Sequence, residues 1–203
     1  DTATARYAVS EGHVDLIGMT RAHIADPNIV RKLSDGVEET IRPCVGATYC
    51  SWHGSCIHNP AIGREDVLPH TIEKTDAPKK VTVVGAGPGG LEAARIAAER
   101  GNTVTLFEAA SQAGGQLLLA AKLDMRRDLI GIIDWRVSEL ERLGVTVHYN
   151  AFAEAQEIAD TKPDTVIIAT GGVPDRMQDI PGAELGTPLW EVLEARSPRD
   201  GDV

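Results

Sequence analysis

The stretch "VVGAGPGGLEAA", residues 83–94, decides the fold. It carries G-x-G-x-x-G at Gly85, Gly87 and Gly90, between an apolar run, "KVTVV", and an Ala-rich helical segment, "GGLEAARIAAERG". That context gives the motif its value, since a lone Gly pattern is weak. Gly85 permits a tight turn, Gly87 lets the backbone approach a pyrophosphate, and Gly90 lets the helix pack close to the sheet. The helix N-terminus then offers N–H donors and a positive dipole end to phosphates. Glu108 ends the next expected strand, "TVTLFE", where its carboxylate accepts from adenosine ribose hydroxyls and repels a 2′-phosphate. The competing reading is a Gly-rich turn that serves packing alone. Spacing leaves FAD, NAD and a bare adenine nucleotide all open.

The pattern continues outward. "MRRDLIGIIDWRVSELERLG" predicts one long amphipathic helix, with Leu129, Ile132, Ile133, Val137 and Leu140 at helical spacing. "VTVHY" and "PDTVIIATGG" predict two more strands. Strands alternating with helices imply an α/β domain over residues 79–203, with a parallel sheet covered on both faces. The closing "DGDV" could begin a further strand.

Upstream, "TARYAVSEG" reads as a helix and "VDLIGM" as a short buried strand. In "TRAHIADPNIVRKLSDG", Asp26 can cap a helix with Pro27 at its first position and Gly36 at its end. One helix–strand–helix piece has too little core to stand alone, so residues 1–42 read as the last unit of a larger α/β domain. Residues 43–78 lack periodicity and hold all three cysteines, Cys44, Cys50 and Cys56, within "CVGATYCSWHGSC". They read as a cysteine loop followed by a polar linker.

Composition narrows the function. The 203 residues carry a net charge of −10, which argues against a general nucleic-acid binder. No apolar run is long enough for a membrane span, and nothing marks secretion, so the expected location is cytoplasmic. An odd number of clustered cysteines is a poor disulfide framework, and in a reducing cytosol the spacing reads better as metal ligation.

Two further stretches narrow the nucleotide reading by resemblance. "AGGQL" with Gly115 and Gln116, and "VIIATGG" with Ala169, Thr170 and Gly171, follow the Gly motif and Glu108 in the order of the flavoprotein disulfide reductase type. In that type an NAD(P)H domain is inserted after the A-T-G stretch. The wider order "DLIGMTRAHIADP", "RPCVGATYC", "CIHNPAIGRE", "VVGAGPGG" resembles the FMN and iron–sulfur oxidoreductases related to old yellow enzyme, among them trimethylamine dehydrogenase, 2,4-dienoyl-CoA reductase and the N-methylproline demethylases. The resemblance covers essentially the whole chain. It implies the end of an FMN-bearing TIM barrel, an iron–sulfur loop, and an incomplete Rossmann-like FAD- or ADP-binding domain, with both ends cut. The family's active-site residues sit mostly in the barrel, so no catalytic residue is assigned here.

The resemblance also assigns ligands. Thr20 and Arg21 would hold the FMN phosphate, whereas the residues alone suggest a surface arginine paired with Asp26. Cys44, Cys50 and Cys56 match three of the family's four cluster cysteines. Ala47 stands at the second position, and the spacing before Cys56 is short. A 4Fe–4S cluster with a substitute ligand such as His53 or His58, a three-iron cluster, or a loop without metal are the alternatives.

The expected whole is a multi-cofactor oxidoreductase using FMN, FAD or ADP, an iron–sulfur cluster and NAD(P)H. It would act on a small-molecule substrate by N-demethylation of a methylated amine or amino acid, or by reduction of an unsaturated acyl thioester or enone. The remainder of the same polypeptide is the expected partner, with self-association through exposed apolar residues such as Leu16 and Ile17. The other classes are a metal-stapled nucleotide-binding module and an NAD-only dehydrogenase domain.

Overall fold

The computed structural model describes residues 1–175 and 179–194. Three short helices come first: α1 (Thr2–Ser10), α2 (Thr20–Ala25) and α3 (Ile29–Ser34). The Asp1 side chain caps α1 by accepting from Thr4 N–H at 2.7 Å. The expected strand over residues 14–19 is not formed. A strand needs a hydrogen-bonding neighbour, and none of the described segments runs beside it. Leu16 is 89% exposed there.

The second helix of this piece starts later than expected. Asn28, not Asp26, is the N-cap of α3. Asp26 instead ends α2, and its buried carboxylate accepts from Lys32 Nζ at 2.7 Å and from the backbone N–H of Asn28 and Arg42 at 3.0 and 2.9 Å. It therefore ties the helices to the entry of the cysteine loop. That loop contains α4 (Tyr49–His53), entered through Thr48 and left through Gly54, both left-handed.

The α/β half follows: β1 (Lys80–Val84), α5 (Pro88–Glu99), β2 (Thr103–Phe107), α6 (Leu117–Ala120), α7 (Gly131–Arg142), β3 (Thr146–His148), α8 (Ala155–Asp160), β4 (Thr165–Ile168) and α9 (Leu189–Glu194). The strands form one parallel sheet in the order β3-β2-β1-β4. Crossing from β1 outward to β2 and β3 and then back to β4 puts a topological switch point beside β1, and ligands of such sheets bind at the strands' carboxyl ends there.

Val81 and Val83 of β1 and Val104 and Leu106 of β2 share one sheet face and pack with Leu91 and Ala94 of α5. Full burial of a side chain such as Leu91 or Leu106 stabilises by about 1.5–3 kcal/mol. Pro88 occupies the first turn of α5, where its missing N–H costs nothing. The opposite face is only partly covered, which corrects the expectation of two covered faces. Thr82 hydrogen-bonds Thr161 at 3.0 Å, while Val166 and Ile168 of β4 stand 40% and 67% exposed.

The long helix expected over residues 125–144 is split. Asp124–Ile130 forms a 3-10 turn and only Gly131–Arg142 is α-helical. The cysteine loop meets the domain at this junction: a Cβ on Gly131 would touch Val45 and Pro43 side chains at 3.4 and 3.6 Å. Val45 is itself a member of the domain's core. The loop is thus docked on this domain at Pro43 and Val45. The expected strand at "DGDV" lies outside the described residues.

Candidate functional site

At the carboxyl ends of β1, β2 and β4 the backbone is drawn into one turn-lined cavity. Gly85 N–H donates to Phe107 O at 2.8 Å, and Ala169 N–H donates to Val84 O at 2.8 Å. Gly85 has φ +101°, and a Cβ there would collide with the Ala169 carbonyl. A Cβ on Gly90 would run into the Gly85 carbonyl oxygen, so α5 can start this close to β1 only with glycine at that position. Gly87 differs. Its φ is −69°, and nothing lies within 4 Å of where a Cβ would project. Its open side faces the cavity, which suits close approach of a ligand's phosphates to the first turn of α5.

The cavity measures about 960 Å³ and is lined by Gly85, Gly87, Glu108, Gly115, Gln116, Ala169, Thr170 and Gly171 among others. Every residue proposed for the nucleotide except Gly90 therefore faces one space, and Gly90 stands behind it. Glu108 is half-buried and held by two backbone groups: Oε2 accepts from Ala86 N–H at 2.6 Å and Oε1 from Ala110 N–H at 2.8 Å. Each oxygen keeps a second lone pair, so the carboxylate is preorganised to accept a diol. Gly115 has φ +52° and a Cβ there would come within 3.2 Å of Gly87 Cα. Gln116 Nε2 donates to Gly172 O at 2.6 Å, joining this loop to the end of β4.

Apart from Leu117, which closes the "AGGQL" stretch, the apolar lining residues carried no sequence signal. Leu117, Leu119 and Leu123 form an apolar wall with Trp190 and Leu193 of α9. Lys122 Nζ anchors α9 by donating to Leu193 O at 2.8 Å. Phe152, 83% exposed, stands at the rim beyond Glu108. Arg126 lines the same space, and among the described lining residues only it and Glu108 are charged.

Thr20 and Arg21 open α2 outside this cavity, and both are exposed. The pairing of Arg21 with Asp26 is not formed, because Lys32 and backbone N–H groups take the Asp26 carboxylate.

The three cysteines are free thiols: Cys44 exposed, Cys50 and Cys56 half-buried. Three soft sulfur donors in one loop suit an iron–sulfur group. Among the described residues no three Cys, His, Asp or Glu side chains converge closely enough to hold a metal ion, so the three thiols share a loop without meeting at one point. His53 stacks on Tyr49 with ring centroids 4.1 Å apart. His58 is fully buried, its Nδ1 2.9 Å from Pro43 O. Burial, with the Arg136 charge, pushes His58 down to about 3, so its ring is neutral.

A buried polar joint lies between this loop and α5. Arg136 Nε donates to Glu92 Oε2 at 2.8 Å, and Arg95 Nη2 to Glu92 Oε1 at 2.8 Å. Burial alone would raise the Glu92 carboxyl, but the Arg95 hydrogen bond and the charges of Arg95, Arg136 and Arg42 outweigh it and hold it at about 2. Arg42 lies over the Trp135 ring at 4.4 Å, and Trp135 Nε1 donates to Thr40 O at 3.1 Å.

A G-x-G-x-x-G turn at a sheet switch point, with an acid at the second strand's end, is the arrangement of a dinucleotide-binding domain. Residues 79–197 match the family model for pyridine nucleotide-disulphide oxidoreductases, and the chain belongs to that family. It is 55% identical over its full length to a multifunctional alkene reductase/demethylase OYE of Caballeronia cordobensis, covering 30% of that protein. It is 54% identical over 95% of its length to a probable N-methylproline demethylase of Rhizobium meliloti, covering 29% of it. Among solved structures it resembles a 2-naphthoyl-CoA reductase complex, with TM-score 0.85 and 34% identity over 97% of this chain and 31% of that one. The chain thus spans about 30% of the length of the curated relatives it matches. The resemblance to oxidoreductases related to old yellow enzyme, read from the sequence, is borne out. No described helix is long and apolar enough to cross a membrane.

Proposed function

We propose that the chain is the nucleotide-holding part of a flavin-dependent oxidoreductase. Its cavity takes the adenosine diphosphate portion of FAD, or ADP itself. The observation that carries this reading is the geometry at Gly87, which leaves open space at the α5 N-terminus with the Glu108 carboxylate fixed beside it. Phosphates would meet the helix N–H groups, the ribose would meet Glu108, and Arg126 would offset phosphate charge. The apolar wall with Trp190 suits a flat ring at the other end. Bound flavin would supply the hydride and electron chemistry, and this chain's residues would bind and orient it.

In the whole protein, Arg21 with the backbone at Thr20 would hold an FMN phosphate. Its exposure and the engagement of Asp26 elsewhere support that role. Cys44, Cys50 and Cys56 would hold an iron–sulfur cluster, supported by three free thiols in one docked loop. The substrate class we favour is an N-methylated amine or amino acid, on the strength of the demethylases among the relatives. Reduction of an unsaturated thioester or enone is the second reading, supported by the reductases among them.

The test is the cofactor inventory of the full-length protein by visible spectrum, released-nucleotide chromatography and metal analysis. FAD or ADP is the expected nucleotide in the cavity. A protein free of adenine nucleotide that also fails to bind added FAD or ADP would overturn the assignment.

A further inference from the structure

The dipeptide His58–Asn59 is more deeply buried than any of the three cysteines, at 0% and 2% exposure, yet the nucleotide cavity does not use it. Its bonds run to three separate parts of the chain. His58 Nδ1 lies 2.9 Å from Pro43 O. A carbonyl only accepts, so Nδ1 carries the hydrogen. Pro43 immediately precedes Cys44, and His58 follows Cys56, so this bond closes the loop that contains every cysteine. Asn59 Nδ2 donates to Ile24 O at 3.3 Å, in the helix that begins with Thr20 and Arg21. Asn59 Oδ1 accepts from Ala61 N–H at 3.2 Å, which fixes the amide's orientation. On the third side, Arg136 Nη2 of α7 points to His58 O at 3.5 Å, and Trp135 packs edge-on to the imidazole with centroids 5.3 Å apart.

We propose that His58 and Asn59 are positioning residues, a buried clasp that closes the cysteine loop and holds it in register with the Arg21 helix and the nucleotide domain. His58 Nε2 is buried and has no hydrogen-bond partner among the described residues. An unsatisfied buried acceptor is costly, so the Nδ1–H bond and the ring packing are what make histidine worth keeping here. Trp135 packs on the ring at the joint between loop and domain, which together with the Pro43 bond gives the ring the role of a clasp. The clasp's part in cofactor chemistry rests on the cluster reading of the loop, whereas the loop closure itself rests on the geometry alone.

The experiment uses full-length protein, reduced and metal-free, and follows alkylation of the half-buried Cys50 and Cys56 by iodoacetamide with peptide mass spectrometry, relative to the exposed Cys44 in the same sample. His58→Phe keeps a ring against Trp135 and removes the N–H. His58→Asn offers an amide N–H near the Nδ1 position, and His58→Gln offers one near Nε2. Alkylation should quicken about tenfold in the Phe and Gln variants and stay near wild type in the Asn variant, while bound nucleotide is retained. The expected size is that of a local opening released from one buried hydrogen bond. Wild-type rates in the Phe variant, or equal rates in the Asn and Gln variants, overturn the clasp. If the Phe variant fails to fold, the Asn and Gln comparison decides. Iron and sulfide content of the same proteins after anaerobic purification forms a separate arm. It should fall in the Phe and Gln variants and recover in the Asn variant. Absence of iron from the wild type would remove the cluster reading, while the alkylation rates would still decide for or against the clasp.

Discussion

Arg136 on α7 and Glu92 on α5 meet through a 2.8 Å ion pair that is almost closed to solvent. Glu92 lies one turn into the helix whose N-terminus faces the nucleotide cavity, and Arg136 points to the carbonyl of His58 behind the cysteine loop. Removing one partner would leave a buried charge without its counter-ion. Glu92→Ala should destabilise the protein by about 3–5 kcal/mol, read from urea denaturation. A change within error of zero would mean that the joint is solvated and the pair carries no weight.

Acid should loosen the same joint. Glu92 is held at about 2 against an ordinary 4.5, so its contribution is complete above the ordinary value and is lost as pH falls toward 2. His58, pushed down to about 3 from 6.5, acts in the same direction, because the unfolded chain takes up its proton first as pH falls below 6.5. The urea midpoint should drop between pH 7 and pH 3, and Glu92→Gln should flatten the lower part of that curve. An unchanged slope in the Gln variant would contradict the assignment.

Gly87 and Gly90 should respond differently to substitution. Gly87→Val places its side chain in open space, so the protein should fold but lose its nucleotide. Gly90→Ala drives a methyl group into the Gly85 carbonyl and should cost about 3 kcal/mol or more of stability. Thermal melts together with released-nucleotide analysis distinguish the two. Full nucleotide content in the Gly87 variant would remove the phosphate from this turn.

Glu108→Ala should weaken ADP binding about tenfold and leave phosphate-only ligands such as pyrophosphate unaffected, measured by calorimetry on nucleotide-stripped protein. Arg126→Ala should weaken both, with a smaller salt dependence than wild type. Equal losses for ADP and pyrophosphate in the Glu108 variant would place the carboxylate at the phosphates and not at the ribose.

Arg21→Ala should lower FMN retention in the full-length protein and spare the adenine nucleotide of the other site. Its guanidinium lies outside the nucleotide cavity, so the two contents should separate. Parallel loss of both would point to general unfolding.

The amino-acid sequence by itself determined the nucleotide turn, the four strands around it and the acid at Glu108. Those signals are local: glycines at set spacing, apolar runs with a strand's period, and a capped Ala-rich helix, each carried by adjacent residues. Residues 14–19 form no strand within this chain, because an apolar run becomes a strand only beside another strand. Only the tertiary structure decided that Arg126, Phe152 and Trp190 share the cavity with Gly87, and that Asp26 serves Lys32 and the loop instead of Arg21. It alone showed that His58, a candidate ligand in the sequence, is the buried neighbour of Pro43, Trp135 and Arg136. These residues meet because α7 packs against α5 and the cysteine loop docks at Gly131. Contacts between residues distant in the chain depend on how separate elements pack, which no local spacing records.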